Sequence, residues 1–306
     1  MHNLKRALSS ISTVSESNIP DIRRVEIDES HVRQFESEED FMGLVVDILI
    51  EVGSFVCLAG NLLPADRKAW NRDEAVIGGH LVRLYKLINA LLEQTCQRRR
   101  EISFIYVRLA FECIINLRYL IAHASDELFR SYRAYSLKHE HKLLKQIEKN
   151  IEARGGEELP IERRMINSIH RSFEVSGITA DTFKIGGLKN WGGKNIFEKA
   201  QAVGLETAYL AAIGGGSHSV HGNWQDLLEY HVEKTDDGSF KPDFEWHQPR
   251  PQPLNAVALQ ATQAVIDHLQ WLASDRAEGM TNVLKDLMDR ILLLDRLHEE
   301  FLTHRK

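Results

Sequence analysis

Apolar residues along this chain recur mostly at three- and four-residue steps, the signature of helices with one buried face. The first such stretch runs from about Glu38 to Leu63 and is stopped by Pro64. Asn71 and Asp73 open a second, to about Gln97, where the Arg98-Arg99-Arg100 triplet interrupts the pattern. A third runs from about Glu101 to Ala124. Ser125, followed by Asp126 and Glu127, is a good N-cap for a charged helix ending at Gly155-Gly156. A shorter helix is predicted over Pro160 to Val175, then a loop with two Gly-Gly pairs and Trp191. Helix resumes from Asn195 to about Ile213, broken at Gly204 and ended by Gly214-Gly215-Gly216.

Alternation replaces the helical period only once. Leu227 to Lys234 and Phe240 to Trp246 alternate around the turn signal Asp237-Gly238, which predicts a small hairpin over 227–246. Pro249, Pro251 and Pro253 read as a stiff linker, Asn255 as the cap of a helix to Ser274, and Thr281 to His304 as a last helix. The expected fold is all-α: a bundle of about eight or nine helices with one β-hairpin. Residues 1–36, polar and aperiodic, read as a flexible arm. Residues 37–248 read as the core domain with its hairpin, and 249–306 as a C-terminal helical pair packed on it.

Composition narrows the function classes. The 306 residues carry a formal net charge of −6, which gives no global attraction to nucleic acid or anionic membrane. The basic groups Arg98–Arg100 and Lys138–Lys145 then read chiefly as solvated helix faces. Three scattered cysteines without a CxxC pair suit reduced thiols, so a cytoplasmic location is expected. No membrane span is expected: Asp47 and Glu51 break the first apolar stretch, and Arg108, Glu112 and Arg118 break the third. P-loop, GxSxG, HExxH and CxxC signatures are absent from the sequence.

Three groups of residues carry candidate chemistry. Arg108 and Glu112 stand four apart inside an apolar helix, so they are expected as an ion pair: a structural clamp, or an arginine held to bind phosphate or carboxylate. Arg118 and His123 close the same helix. The third group is Gly214 to Trp224, where three glycines precede Ser217, His218, His221 and Asn223. His218 and His221 share one face of a helical turn. They suit either a divalent metal, with Glu112 or Asp226 as third ligand, or acid/base work by His221 beside Ser217. Capping and packing account for the same residues without chemistry.

The run Arg118-Tyr119-Leu120-Ile121-Ala122-His123 resembles the Arg-x4-6-His signature of HEPN domains, helical bundles that include many metal-independent endoribonucleases. The resemblance implies that Arg118 stabilises phosphate charge and His123 moves a proton at the ribose 2′-hydroxyl, with RNA as partner and no cofactor. The same spacing recurs at Arg24/His31, Arg133/His139 and Arg164/His170, without the apolar helix before it.

More broadly, residues 75–270 resemble an uncharacterised, mainly bacterial family of helical proteins known as a domain of unknown function. The resemblance is carried by Arg108/Glu112, by Arg130-Ser131-Tyr132 and by the segment from Tyr209 to His221-Gly222. It implies a helical core that gathers Arg108, Glu112 and His221. Three functions follow as expectations. The first is a HEPN-like ribonuclease, a toxin or defence effector. The second is a non-enzymatic binding or scaffold module, and the third a metal-dependent hydrolase through His218 and His221. A homo-oligomer is expected through the C-terminal helices.

Overall fold

The computed structural model describes residues 22–63, 68–183, 189–272 and 277–304. It is about three-quarters helical with one two-stranded antiparallel sheet. Four long helices form the body: α2 (Glu38–Gly60), α3 (Arg72–Cys96), α4 (Arg100–Ala122) and α12 (Pro251–Leu272). They are preceded by a single turn, α1 (Glu29–Val32). Helix α2 packs on α3 and α12, and α4 packs on α3 and α12 from the other side. The central layer is aliphatic: Ile48, Leu49, Leu84, Ile88, Ile114 and Leu117 are all completely buried. The last helix, α13 (Ala277–His304), lies along α12 and α2.

Local chemistry explains most helix starts. Ser37 and Asp40 form a reciprocal capping box on α2, and Asn71 and Glu74 form one on α3. Ser125 caps α5 (Asp126–Ser136) by accepting from Leu128 N at 3.3 Å. The expected single helix after Ser125 is two, since α5 ends at Leu137 and α6 (Lys138–Ala153) follows at once. Helix α6 pairs with α7 (Pro160–Ser176) around a small separate core of Leu144, Ile147, Ile169 and Phe173.

Several expectations need correction. The bundle has more helices than eight or nine, because the stretch from Asn195 onward divides into α8 (Ile196–Ala202), α9 (Glu206–Ala208), α10 (Gly215–His221) and α11 (Trp224–Tyr230). The glycine triplet does not end a helix there. A π-helical segment, Tyr209–Gly214, runs straight into α10. The hairpin is real but shorter: β1 (Val232–Lys234) pairs with β2 (Phe240–Pro242), and Leu227–Tyr230 is helical. Helix α12 begins at Pro251, so Asn255 is not its cap but a buried residue inside it. Prolines lack only an N–H that a first helical turn leaves unpaired, so they sit there at no cost.

The amino-terminal arm does not remain free along the described part of its length. Residues 1–21 of the expected arm lie outside the described residues, but Ile22 and Val25 pack on the main core. Val25 N donates to Glu51 Oε2 at 2.9 Å. Arg290 of α13 donates to both Glu51 oxygens (2.8 and 2.7 Å) and to the Val25 carbonyl at 2.8 Å. One buried ion pair thus ties the arm, α2 and α13 together. Helices α2 and α3 are long and apolar enough to cross a membrane by length and composition. In this fold most of α2 is buried within the bundle, Glu51 included.

Candidate functional site

Helix α4 separates two environments. At about 100° per residue, Arg108, Glu112, Tyr119 and position 123 fall within an arc of about 60°. Arg118 lies about 140° round from position 123, on the side facing α12. There its Nε donates to Asp267 at 2.7 Å and its Nη1 to Gln260 at 3.2 Å. Gln263 holds the other Asp267 oxygen at 2.7 Å. Arg118 is therefore a clamp between α4 and α12. It does not meet His123, which is exposed and packs its ring against Tyr119 at 4.6 Å. The Arg118/His123 pair expected from the motif is not assembled, because the intervening residues turn the two side chains to different faces.

The other face is covered by α8, the π-helical segment and α10. Gly216 meets α4 so closely that a Cβ there would stand 2.8 Å from Arg108 Cβ and 3.2 Å from the Phe104 carbonyl. Arg108 lies under α10, with its Nε buried and without a hydrogen-bond partner among the described residues. The Arg108–Glu112 ion pair expected from their spacing does not form among the described residues. Since Gly216 faces α4, His221 is about 140° and His218 about 160° round α10. His221 is accordingly exposed, and the expected grouping of Arg108, Glu112 and His221 is not made.

Local bonds occupy the rest of this segment. Ser217 Oγ donates to the Ile213 carbonyl at 2.6 Å, and Asn223 Nδ2 donates to His218 Nδ1 at 2.5 Å. The Asn223 oxygen caps α11 through Asp226 N. Tyr209 packs on Phe197. The metal arrangement is corrected as well. Among the described residues no three His, Cys, Asp or Glu side chains come together as a ligand set. Asp226, a suggested third ligand, is buried beside His231 at 3.3 Å.

What does assemble on this face is a cluster around Lys199. The lysine is only 3% exposed, yet its Nζ lies 3.5 Å from the centroid of the Trp191 ring and 5.9 Å from that of Tyr119. Trp191 also packs edge-on against Tyr119 (5.6 Å) and Tyr132 (5.1 Å). The turn that presents it is built for the purpose. Gly192 has φ +61°, and a Cβ there would stand 2.8 Å from Leu128 and 3.5 Å from Tyr119. Its N–H donates to Ser131 Oγ at 3.0 Å. Ser131 and Tyr132 thus fix this turn, while the neighbouring Arg133 pairs with Asp73 at the start of α3.

Burial without a carboxylate partner pushes the Lys199 ammonium down to about 8, and Glu198 opposes this only weakly. The aromatic faces supply a cation–π attraction in place of an ion pair. Behind the cluster, Cys113 Sγ stands 3.5 Å from His80 Nδ1, and the His80 ring packs against Tyr132. That pair is not a thiolate–imidazolium couple. Burial raises Cys113 to about 12 and lowers His80 to about 4, so both are neutral near pH 7.

Reading the sequence missed this cluster. The Gly-Gly pairs around Trp191 were its visible signal, while one lysine in a short amphipathic helix looks like any solvated position. No curated protein and no solved structure matches this chain. The cluster, from His80 through Lys199 to Gly216, lies wholly within residues 74–240, the segment that matches the Family of unknown function (DUF5677). That segment is more than half of the chain, and the protein belongs to this family.

Proposed function

We propose that the protein is a helical binding module whose ligand is a small oxyanion, carboxylate- or phosphate-bearing, held at Lys199. One observation carries this reading: Lys199 is a buried cation with no carboxylate within ion-pair distance among the described residues. Burying a charge costs several kcal/mol unless it is paired, and an incoming anion completes the pair. His123 and Gly193, both exposed, border the cluster. The test is thermal unfolding in inorganic phosphate against chloride at equal ionic strength. Phosphate raises the Tm of the wild type by mass action and leaves a folded Lys199→Met variant unmoved. An equal rise in both proteins overturns the reading.

A second reading keeps the endoribonuclease. His123 is an exposed imidazole on the same face as Arg108, and the RNA phosphodiester belongs to the same anion class. It predicts RNA cleavage in EDTA that leaves a cyclic phosphate and is abolished in a folded His123→Ala variant. No cleavage by wild type removes this reading and leaves the binding module.

A further inference from the structure

The amine of Lys199 has the surroundings of a nucleophile. It is removed from water, faces two aromatic rings, and among the described residues has no carboxylate within ion-pair distance to hold it as an ammonium. A lysine desolvated in this way is the usual form of an imine-forming lysine. Proton carriers stand beside it. The Tyr119 hydroxyl belongs to the same cluster, is kept protonated by burial, and lies near Gly192. The His123 ring rests on Tyr119 and is exposed to solvent. Gly193, the next residue of the turn that carries Trp191, is exposed and opens to solvent.

We propose that Lys199 captures a small carbonyl compound bearing an anionic group, such as a 2-oxo acid or aldehyde acid, as an imine. The inference rests on the anion-binding reading of the same site. The Nζ lone pair adds to the carbonyl carbon, and the proton lost from nitrogen goes to the carbonyl oxygen. The resulting carbinolamine loses that hydroxyl as water, assisted by a proton from Tyr119 or from solvent, and a C=N bond forms. No oxidant or reductant is required. The anionic group of the ligand remains beside the protonated imine.

The experiment traps the imine with glyoxylate and sodium cyanoborohydride near pH 7.5, followed by peptide mapping for carboxymethyl-lysine. The folded protein is expected to carry about tenfold more label at Lys199 than at the exposed Lys194 and Lys234, because a desolvated amine is less protonated. That preference disappears in protein unfolded with urea. Lys199→Arg, which keeps the charge without a nucleophile, removes this label and leaves the others unchanged. Even labelling of all lysines in the folded protein overturns the inference. If phosphate stabilises the wild type but glyoxylate is not trapped, the imine falls and the anion site stands. If glyoxylate is trapped at Lys199 and phosphate has no effect, the anion site falls and the reactive amine stands.

Discussion

The two sides of α4 treat their charges in opposite ways. Toward α12, Arg118 is bonded to Asp267 and Gln260, and beyond it Arg290 is bonded to both oxygens of Glu51. Toward α8 and α10, among the described residues, Lys199 has no carboxylate within ion-pair distance and Arg108 Nε has no acceptor. Length and composition do not separate the two faces, since both are lined by ordinary helical residues. The difference is whether the fold itself satisfies the cation. Where it does, the residue reads as structure. Where it does not, the missing partner reads as a ligand.

Breaking the satisfied side is expected to produce the largest effect. Arg290 and Glu51 have side chains 7% and 2% exposed. Glu51→Ala removes the buried partner of Arg290, leaving its guanidinium, among the described residues, only the ion pair from Nε to the more exposed Asp286, and frees Val25 N, which should cost about 3 kcal/mol in urea unfolding. A loss below about 1 kcal/mol would mean that water reaches the pair, and the contrast between the two sides would weaken.

Acid sharpens the comparison, because each side buries a histidine. His80, in the cluster, and His268, on α12, are both held near 4 by burial, below the ordinary 6.5. Between about pH 6.5 and 4 the unfolded chain therefore binds more protons than the folded one. Stability falls as pH drops through that window and levels off below it. Each histidine contributes on the order of 3 kcal/mol as an upper bound. Urea midpoints measured from pH 7 to 4 should show the fall, with His80→Asn removing about half of it. Equal shares from the two histidines would show that burial is alike on the two sides and that only their cations differ.

Much of this fold was legible because its signals are local. The Asn71 cap, the Asp237-Gly238 turn and the apolar stripes of α2 to α4 each lie within a few residues of sequence. The start of α12 was not, since a proline run serves equally as linker or as first helical turn. The site was less legible still. Arg118 and His123 were selected by spacing along the chain, but the partner that occupies Arg118, Asp267, lies on another helix and is chosen by packing. Lys199 carries no local mark. Its burial depends on Trp191 folding back from the preceding turn and on Tyr119 from another helix. The glycine triplet did mark something real: Gly216 is required by α4, not by a turn. Gly216→Ala should push α10 away from Arg108 and cost about 1–3 kcal/mol, typical of overpacking, in urea unfolding. A neutral substitution would show that α10 is not seated on Arg108.

The smallest expected effect separates the two sides most sharply, because its sign differs. Lys199→Met replaces a desolvated cation by an uncharged chain of similar length. The cation–π attraction to Trp191 is lost, worth about 1–2 kcal/mol when desolvated. The cost of keeping an uncompensated charge out of water is also removed. The two terms nearly cancel, and the variant should be unchanged or more stable by about 1 kcal/mol at pH 7. Because burial holds the Lys199 ammonium near 8, below the ordinary 10.5, the folded chain binds fewer protons than the unfolded one between about pH 8 and 10.5. The wild type therefore recovers stability as pH rises through that window, and any advantage of the variant shrinks there. Unfolding of both proteins at pH 7 and pH 9.5 measures this directly. If Lys199→Met instead loses as much as Glu51→Ala, Lys199 is a structural cation like Arg290, and the unsatisfied face of α4 is no more a binding site than the satisfied one.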